Sequence, residues 1–422
     1  MRIALLSYRS KTHCGGQGVY IRYLSSGLVE LGHRVEVFSG QPYPEVLDPR
    51  VVLRKVPSLD MYREPDPFRI PRPSEIRDRI DLLELATVWT AGFPEPRTFS
   101  LRMARLLADR QHDFDVVHDN QSLGFGLLDI SAMGFPVVAT VHHPITRDRV
   151  LELSAARWWR KPLVHRWYGF LKMQQRVARS IPDLVTVSSS SAADITADFG
   201  VRPDQLCVVP LGVDTDLFAP ADQPRVPGRI IAVASADTPL KGVGICCTRW
   251  PGCALTTTSR FSSWPSWSPT DPPKSSLPSS ASPISCTPPT GSPTPSWLVC
   301  WRLPKLPVFL RFTRGSRFPP WRRWPAAPRS WPAGPGIAGG ARARWQLRRL
   351  VRPGDTVDLI RVLGALLASP GERQRLGAAG RRRALEVYSW ESVAAQTVAV
   401  YERAIARKAQ QRGVADVVGE PC

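Results

Sequence analysis

Three groups of residues in this sequence have types and spacing that suit chemistry. A glycine-rich turn, His13–Gly18, contains Gly15 and Gly16 and opens a segment with helical spacing. His118 and His142 each follow the end of an apolar run. Backbone amides at a helix N-terminus bind phosphate, and imidazoles can contact or deprotonate polar substrates. The same residues also fit a ligand-free tight turn and two structural histidines, so the residues alone leave both interpretations open.

The elements that would position these residues form a regular alternation. Tyr20, Leu24, Leu28 and Leu31 recur at helical spacing between the first two apolar runs. Strands alternating with helices predict an α/β fold with a mostly parallel, doubly wound sheet, whose ligands bind beyond the carboxyl ends of the strands. The predicted strands are Arg2–Ser7, Val35–Phe38, Phe114–Val117, Pro136–Val141, Leu184–Val187 and Gln205–Val209. We therefore expect Gly15, Gly16, His118 and His142 to share one edge of the sheet.

Residues 245–349, which we call the aberrant segment, differ from both flanks in composition. They hold 1 of the 36 acidic residues, 19 of the 42 prolines and 9 of the 14 tryptophans. A natural disordered linker is rich in proline and serine but poor in aromatics, because exposed indoles promote aggregation. The segment is therefore predicted not to fold, and its tryptophans argue against a natural linker.

Charge and cysteine content are also unevenly distributed. The chain has a net charge of +20, of which the aberrant segment carries +14 and the remaining 317 residues +6. The basic character is local, so it does not indicate nucleic acid as a partner. Outside the segment only Cys14, Cys207 and Cys422 remain, too far apart for a disulfide framework or a metal site. We expect a reducing, cytoplasmic setting, no metal, no signal peptide and no membrane span.

One further pattern interleaves aromatic and basic residues. Trp158, Trp159, Arg160 and Lys161 are followed by a second such run, Arg166–Lys172. This composition suits peripheral contact with the inner face of a membrane. An amphipathic helix with its aromatic rings in the core would have the same composition, so both interpretations stay open.

Several segments taken together resemble a known family. They are the Gly15-Gly16 loop, FDVVH at Phe114–His118, VVATVHHP at Val137–Pro144 and, as the strongest match, VVPLGVDTDLF at Val208–Phe218. After a predicted strand, Ile230–Ser235, the sequence PLKG at Pro239–Gly242 is similar to a donor-phosphate motif, and similarity resumes from Leu350 to about residue 407. The chain resembles the family 4 retaining glycosyltransferases.

The resemblance implies the GT-B architecture, in which two Rossmann-like domains face a cleft. It implies sugar transfer from a nucleotide diphosphate donor to a glycan, lipid or small-molecule acceptor, with retention and without cofactor or metal. Gly15, Gly16 and Lys241 would bind the donor phosphates, and His118 and His142 would contact the reacting sugars. The implied divisions are an acceptor-side domain (1–212), a linker (213–228), the start of the donor-binding domain (229–244), the aberrant segment (245–349) and the closing helices of the donor-binding domain (350–410).

The chain departs from the family pattern at two positions before the aberrant segment. The family usually has an arginine six residues before the lysine, where this chain has Ser235. Many members have a second histidine two residues after the first, where this chain has Asn120. Either departure would move the contacts expected around the reacting carbon.

The aberrant segment itself is explained by a shifted reading frame that begins near residue 244. The family should show E-G-F-x-x-P-x-x-E near residue 313, with two glutamates that hold the donor. Here Phe312–Ala326 is FTRGSRFPPWRRWPA, and permitted codons for it, read one base out of phase, encode YEGFSLPAVEAMA. The recovered glutamates overlap Arg314 and Arg322. We predict that residues 245–349 are translated out of frame and that the second domain is disrupted.

Two other functions compete with an ancestral glycosyltransferase that is inactive as written. The chain could be a non-catalytic product whose disordered basic segment binds acidic partners or nothing. A dinucleotide enzyme is disfavoured, because the first turn is not G-x-G-x-x-G and no acidic residue follows the second strand, where Phe38, Ser39 and Gly40 stand.

Overall fold

The computed structural model describes residues 1–10, 16–63, 66, 68–220, 233–234, 256–257 and 356–418. They fall into two compact units, one formed by Met1–Asp214 with Ala384–Cys422 and the other by Thr215–Arg383. The first unit ends two residues beyond the predicted boundary at 212.

The first unit is built on a seven-stranded parallel sheet. Its strand order is β3-β2-β1-β4-β5-β6-β7, the doubly wound order predicted from the alternation of strands and helices. The central strands are buried along their whole length because helices cover both faces. The strands are β1 Arg2–Ser7, β2 Arg34–Ser39, β3 Val52–Lys55, β4 Val116–Asn120, β5 Val137–Val141, β6 Asp183–Thr186 and β7 Leu206–Val208.

Among the described residues, eight α-helices connect these strands. Two of them show why they begin and end where they do. Asp78 caps the second helix by accepting from the backbone N–H groups of Ile80 and Asp81, and Gly200 ends the eighth in the left-handed region (φ 68°). The helices are α1 Gly16–Glu30, α2 Arg79–Trp89, α3 Glu95–Ala108, α4 Gly126–Ala132, α5 Thr146–Ala155, α6 Lys161–Trp167, α7 Phe170–Ser180 and α8 Ser189–Phe199.

Strand β4 differs from its predicted bounds. The apolar run placed its end before His118, but the strand continues through His118 and Asp119 to Asn120. Pairing explains the extension, because Asn120 lies opposite Thr140 of β5 and Asp119 lies opposite Leu6 of β1. Polar residues can occupy a buried strand when their side chains find partners, and an apolar run cannot reveal this.

The last helix belongs to the first unit, which corrects the prediction that residues 350–410 lie wholly in the second domain. Helix α11, Trp390–Val418, packs on α1 and beside β4, β5 and β6. Val393, Ala394, Val400 and Tyr401 are buried in the same apolar cluster as the first strand. An amphipathic sequence predicts that a helix packs, but not which sheet it packs against.

The two chain segments that enter and leave the first unit lie side by side. The backbone N–H of Val213 donates to the carbonyl of Tyr388 (2.7 Å). The ring of Trp390 lies against Gly212, where a Cβ would come within 2.3 Å of it, and stacks on Tyr23 with ring centroids 5.3 Å apart. Glycine at position 212 is therefore required by the indole of Trp390. The two contacts of this indole connect the start of α11 to the segment after β7 and to α1.

The described part of the second unit contains short strands and helices. Strand β8, Val233–Ala234, lies inside the predicted strand Ile230–Ser235 and pairs with β9, Thr256–Thr257, which falls in the aberrant segment. Helix α9, Thr356–Ala368, and helix α10, Pro370–Val387, bury Val362, Leu366 and Leu376 between them. The rest of residues 245–349 lies outside the described residues. The prediction that a shifted frame disrupts this part of the second domain therefore falls there too.

No helix in the described ranges is long and apolar enough to cross a membrane.

Candidate active site

The carboxyl edge of the sheet collects the polar residues that follow β1, β4 and β5. Helix α1 begins at this edge with Gly16, where an added Cβ would meet no atom within 4 Å. Packing therefore does not require glycine at this position. The open space is compatible with the prediction that a phosphate binds beside Gly16. Gly15 and Lys241, the other two predicted phosphate-binding residues, lie outside the described residues.

His118 is placed in the interior rather than at the edge. Its side chain is 1% exposed. Its Nδ1 lies 2.6 Å from the Tyr401 hydroxyl and its Nε2 lies 2.7 Å from the Thr140 hydroxyl. Burial, with a smaller contribution from neighbouring His142, lowers the pKa of His118 to about 3, so the ring is neutral.

These contacts favour a structural role for His118, and its predicted contact with the reacting sugars stays a prediction. Both ring nitrogens already have protein partners, and removing them for a substrate would leave buried polar groups unsatisfied. The Thr140 hydroxyl in turn lies 3.3 Å from the Tyr20 hydroxyl, so His118 and Thr140 connect Tyr401 of α11 to Tyr20 of α1. Of the two interpretations that the sequence left open for His118, these contacts favour the structural one.

His142 lies at the predicted edge and is half-buried. Its Nε2 lies 2.8 Å from Asn120 Oδ1, and the edge of its ring packs against Tyr20 with ring centroids 4.9 Å apart. Burial first, and then the charge of His143, lower the pKa of His142 to about 3. The imidazole is therefore neutral at physiological pH and can donate one hydrogen bond and accept another.

Asn120 determines which nitrogen of His142 carries the proton. The Asn120 amide nitrogen lies 3.3 Å from the carbonyl oxygen of Gln17 and 3.4 Å from the Ser7 hydroxyl. A carbonyl oxygen only accepts, so the –NH₂ group of Asn120 must face it and Oδ1 must face His142. His142 then donates from Nε2, and Nδ1 keeps the lone pair.

Gln121 holds the backbone of His142 and its neighbour His143. Its Oε1 accepts from the backbone N–H of His142 (2.9 Å), and its Nε2 donates to the carbonyl of His143 (3.1 Å). Gln121 itself has φ 60°, a left-handed conformation that non-glycine residues rarely adopt. Such strain persists where the surroundings enforce it and is concentrated at functional sites.

Further buried hydrogen bonds hold the loop after β4 in place. Asp119 accepts from the Ser122 hydroxyl and from the backbone N–H of Leu123 (3.0 Å). Gln174 of α7 donates to the carbonyls of Gln121 (3.3 Å) and Ser122 (3.1 Å). Burial raises the pKa of Asp119 to about 6 against these hydrogen bonds. The loop that presents Asn120 and Gln121 is thus rigidly built.

Arg9 and Glu95 form a further polar pair at this edge, and the sequence did not predict it. Arg9, two residues after β1, donates from Nη2 to Glu95 Oε1 (2.9 Å) and lies over the Tyr62 ring, 5.4 Å from its centroid. Burial raises the pKa of Glu95 to about 7, although Arg9 opposes the shift. Nothing in the spacing of Arg9 and Glu95, which are 86 residues apart, indicates that they would meet.

The site thus combines a neutral, oriented histidine, an amide pair that fixes it and a helix N-terminus. Among the described residues, no group of three or more His, Cys, Asp or Glu side chains could hold a metal ion. The predicted independence of metals and cofactors stays a prediction. Arg314 and Arg322, where the family's glutamates are expected, lie outside the described residues.

Comparison with known proteins defines the class to which this fold and site belong. The family model described as Glycosyltransferase Family 4 matches residues 14–217. A curated relative from Mycolicibacterium hassiacum, named MMP alpha-(1->4)-mannosyltransferase, is 57% identical over 97% of this chain and 100% of its own length. The chain belongs to family 4 of the glycosyltransferases.

More distant relatives agree with this assignment. A D-inositol 3-phosphate glycosyltransferase of Arthrobacter sp. is 28% identical over 50% of this chain and 45% of its own length. Among solved structures, sucrose-phosphate synthase of Thermosynechococcus elongatus has a TM-score of 0.53 at 15% identity, covering 96% of this chain and 99% of that one. HepE of Anabaena, solved in complex with UDP, has a TM-score of 0.51 at 11% identity, covering 96% and 100%. The fold is the GT-B fold, as the resemblance implied.

Proposed function

We propose that this chain derives from a retaining mannosyltransferase that uses a nucleotide diphosphate donor, and that it is inactive as written. The observation that carries the proposal is the 57% identity to a named mannosyltransferase over that enzyme's full length. The nucleotide donor is supported by HepE, which was solved with UDP. In the transfer, the bond from the anomeric carbon to the diphosphate breaks, a bond to an acceptor oxygen forms on the same face, and the acceptor's proton passes to the leaving diphosphate.

The proposed roles follow from the site. Gly15 and Gly16 would offer backbone amides to the diphosphate, and Lys241 would neutralise the charge that develops as it leaves. His142 would accept a hydrogen bond from a sugar hydroxyl through Nδ1, because Asn120 occupies its Nε2 proton. A pKa near 3 makes a hydrogen-bonding role more suitable for His142 than that of a general base at neutral pH.

The proposed inactivity rests on the aberrant segment. The mannosyltransferase relative aligns along its entire length with 97% of this chain. Residues 245–349 therefore occupy the place of residues that the relative also has, and they are not an added linker. This supports a displaced and later restored reading frame, which keeps chain length while it changes composition.

One alternative has a specific observation in its favour. The first unit is complete without the aberrant segment, since Met1–Asp214 and Ala384–Cys422 form one compact body. The chain as written could therefore persist as a folded, non-catalytic protein that carries a basic segment. The widely spaced cysteines outside that segment favour a reducing, cytoplasmic place of action for either protein.

Screening donors against a frame-corrected chain tests the proposed reaction. We expect a nucleotide diphosphate mannose to support transfer or donor hydrolysis faster than the corresponding glucose and galactose donors. The anomeric configuration of the product, read from the one-bond C–H coupling at the new linkage, should match that of the donor. The corrected chain carrying His142→Ala should lose more rate than its lowered thermal unfolding midpoint accounts for, since the change also leaves buried Asn120 Oδ1 without its partner. Inversion, or a clear preference for another sugar, would refute the assignment.

A further inference from the structure

A short helical turn before α6 presents two tryptophans to solvent. Trp158 is 82% exposed and Trp159 is 49% exposed. The sequence left open whether the aromatic rings of this region lie in the core or on the surface. Trp167 is partly buried against Phe93, with ring centroids 5.4 Å apart, but Trp158 and Trp159 take no part in the core.

Other apolar side chains are exposed on α5 and α6, which contact each other next to this turn, and at the end of α2. Val150 on α5 and Leu163 on α6 are exposed, and Trp89 at the end of α2 is 68% exposed. The end of α2 is joined to α6, because Arg166 Nη2 donates to the Thr90 hydroxyl at 2.7 Å. We call the surface formed by Trp89, Val150, Trp158, Trp159 and Leu163 the tryptophan patch. Single exposed apolar residues are ordinary, but five of them on elements that contact one another indicate an interaction site.

The sequence around Trp158 and Trp159 is basic. Residues 153–182 contain seven Lys or Arg and no Asp or Glu. Arg157, Lys161 and Arg166 are exposed, and Arg160 lies over the ring of Trp159 at 5.9 Å. The closest preceding acid, Glu152, accepts a hydrogen bond from the Tyr168 hydroxyl at 2.8 Å. The tryptophan patch therefore suits a partner that has a negatively charged surface and an apolar layer under it.

We propose that the tryptophan patch binds the surface of an anionic lipid bilayer. Indole rings favour the boundary between headgroups and acyl chains, and flanking cations are attracted to anionic headgroups. The aliphatic Val150 and Leu163 add apolar area that a bilayer can cover. Single-stranded nucleic acid also combines with basic and aromatic residues, but it recognises rings by stacking and gives no role to exposed aliphatic side chains. The contact is peripheral.

Co-sedimentation of the chain with vesicles tests the proposal. Binding should be stronger to phosphatidylcholine vesicles that contain phosphatidylglycerol than to pure phosphatidylcholine, and it should weaken as salt is raised. Trp158→Ser should weaken binding about fivefold or more, and Lys161→Glu about tenfold or more, since each basic residue contributes attraction at such a surface. These side chains are exposed, so neither change should alter thermal unfolding.

Matched controls lie at the opposite, amino edge of the sheet. Leu31→Ser changes an exposed apolar residue in the turn before β2, Arg34→Glu changes the exposed basic residue that begins β2, and both should leave binding unchanged. The aberrant segment, at +14, also attracts anionic vesicles, so the result is the difference between variants that share it. The same four variants in a frame-corrected chain repeat the comparison without that background.

Three results would overturn the proposal. The first is equal loss of binding in the patch and control variants. The second is tighter binding of single-stranded RNA than of vesicles, lost in Trp158→Ser, which would assign the patch to nucleic acid. The third is a dimer that Trp158→Ser dissociates in sedimentation equilibrium without changing vesicle binding, which would assign the patch to a second copy of this chain.

Discussion

The chain as written is expected to transfer no sugar at a detectable rate, whereas a chain whose frame is corrected across residues 245–349 is expected to recover transfer. At the positions of the family's two glutamates the chain as written has Arg314 and Arg322. Each carboxylate lost from the donor site removes hydrogen bonds between the sugar and a charged group, roughly 1.5–3 kcal/mol per site. At about 1.4 kcal/mol per decade, kcat/KM should fall on the order of a thousandfold or more.

The corrected chain also supplies the control for this experiment. In it, Lys241→Ala should lower kcat strongly while the free energy of unfolding changes little, because the lysine acts on charge that develops in the transition state. The measurement is donor turnover, read as released nucleotide, for both chains at equal concentration of folded protein. Turnover by the uncorrected chain at the rate of an ordinary enzyme would contradict both the frame shift and the placing of the donor site.

Deleting residues 384–422 is expected to unfold the first unit. The deletion exposes the cluster around Val393, Val400 and Tyr401, and each large apolar side chain contributes about 1.5–3 kcal/mol when buried. It also leaves the buried carboxylate of Asp183 without Arg403, whose Nε lies 2.8 Å away, at a cost of roughly 3–5 kcal/mol. The sum reaches the 5–15 kcal/mol that ordinarily stabilises a domain, by order of magnitude.

A shorter truncation provides the matched control. Among the side chains that the structure describes, the last hydrogen bond from α11 to another element is that of Lys408 Nζ to the carbonyl of Ser131 in α4 at 3.0 Å, so a chain ending at residue 411 keeps all these interactions. It should unfold at the same temperature as the full chain, as followed by circular dichroism. Tyr401→Phe should cause an intermediate loss of about 1–3 kcal/mol by leaving His118 Nδ1 unsatisfied. If the chain lacking 384–422 melted with the full chain's midpoint, α11 would not be part of the first unit's core.

The strands of the first unit could be predicted from the sequence because burial on both faces requires an unbroken apolar run. The prediction for Arg2–Ser7 matches β1, and that for Pro136–Val141 differs from β5 by one residue. Strand β3 was not predicted, because it lies at the edge of the sheet and most of its side chains are not buried. An edge strand carries little of the apolar signal on which the prediction depends.

The sequence predicted the location of the site better than the roles of its residues. The carboxyl edge of the sheet was the expected place, since parallel strands bring their ends together. The roles of the two histidines depend on partners far away in sequence, and the partner of His118 is 283 residues distant. In the sequence, an asparagine in the place of the family's second histidine indicated only that contacts around the reacting carbon would move. The structure shows that Asn120 orients His142, a relation that requires three-dimensional contacts.

Sequencing the gene across codons 240–350 tests the central claim most directly, because a reading frame is a property of the DNA alone. We expect a one-base displacement that begins near Val243-Gly244 and is compensated by about Leu350. In the displaced frame the codons of Phe312–Ala326 should encode the E-G-F motif with its two glutamates. A verified sequence without the displacement, whose codons cannot encode that motif in another frame, would show that residues 245–349 are a natural part of this protein.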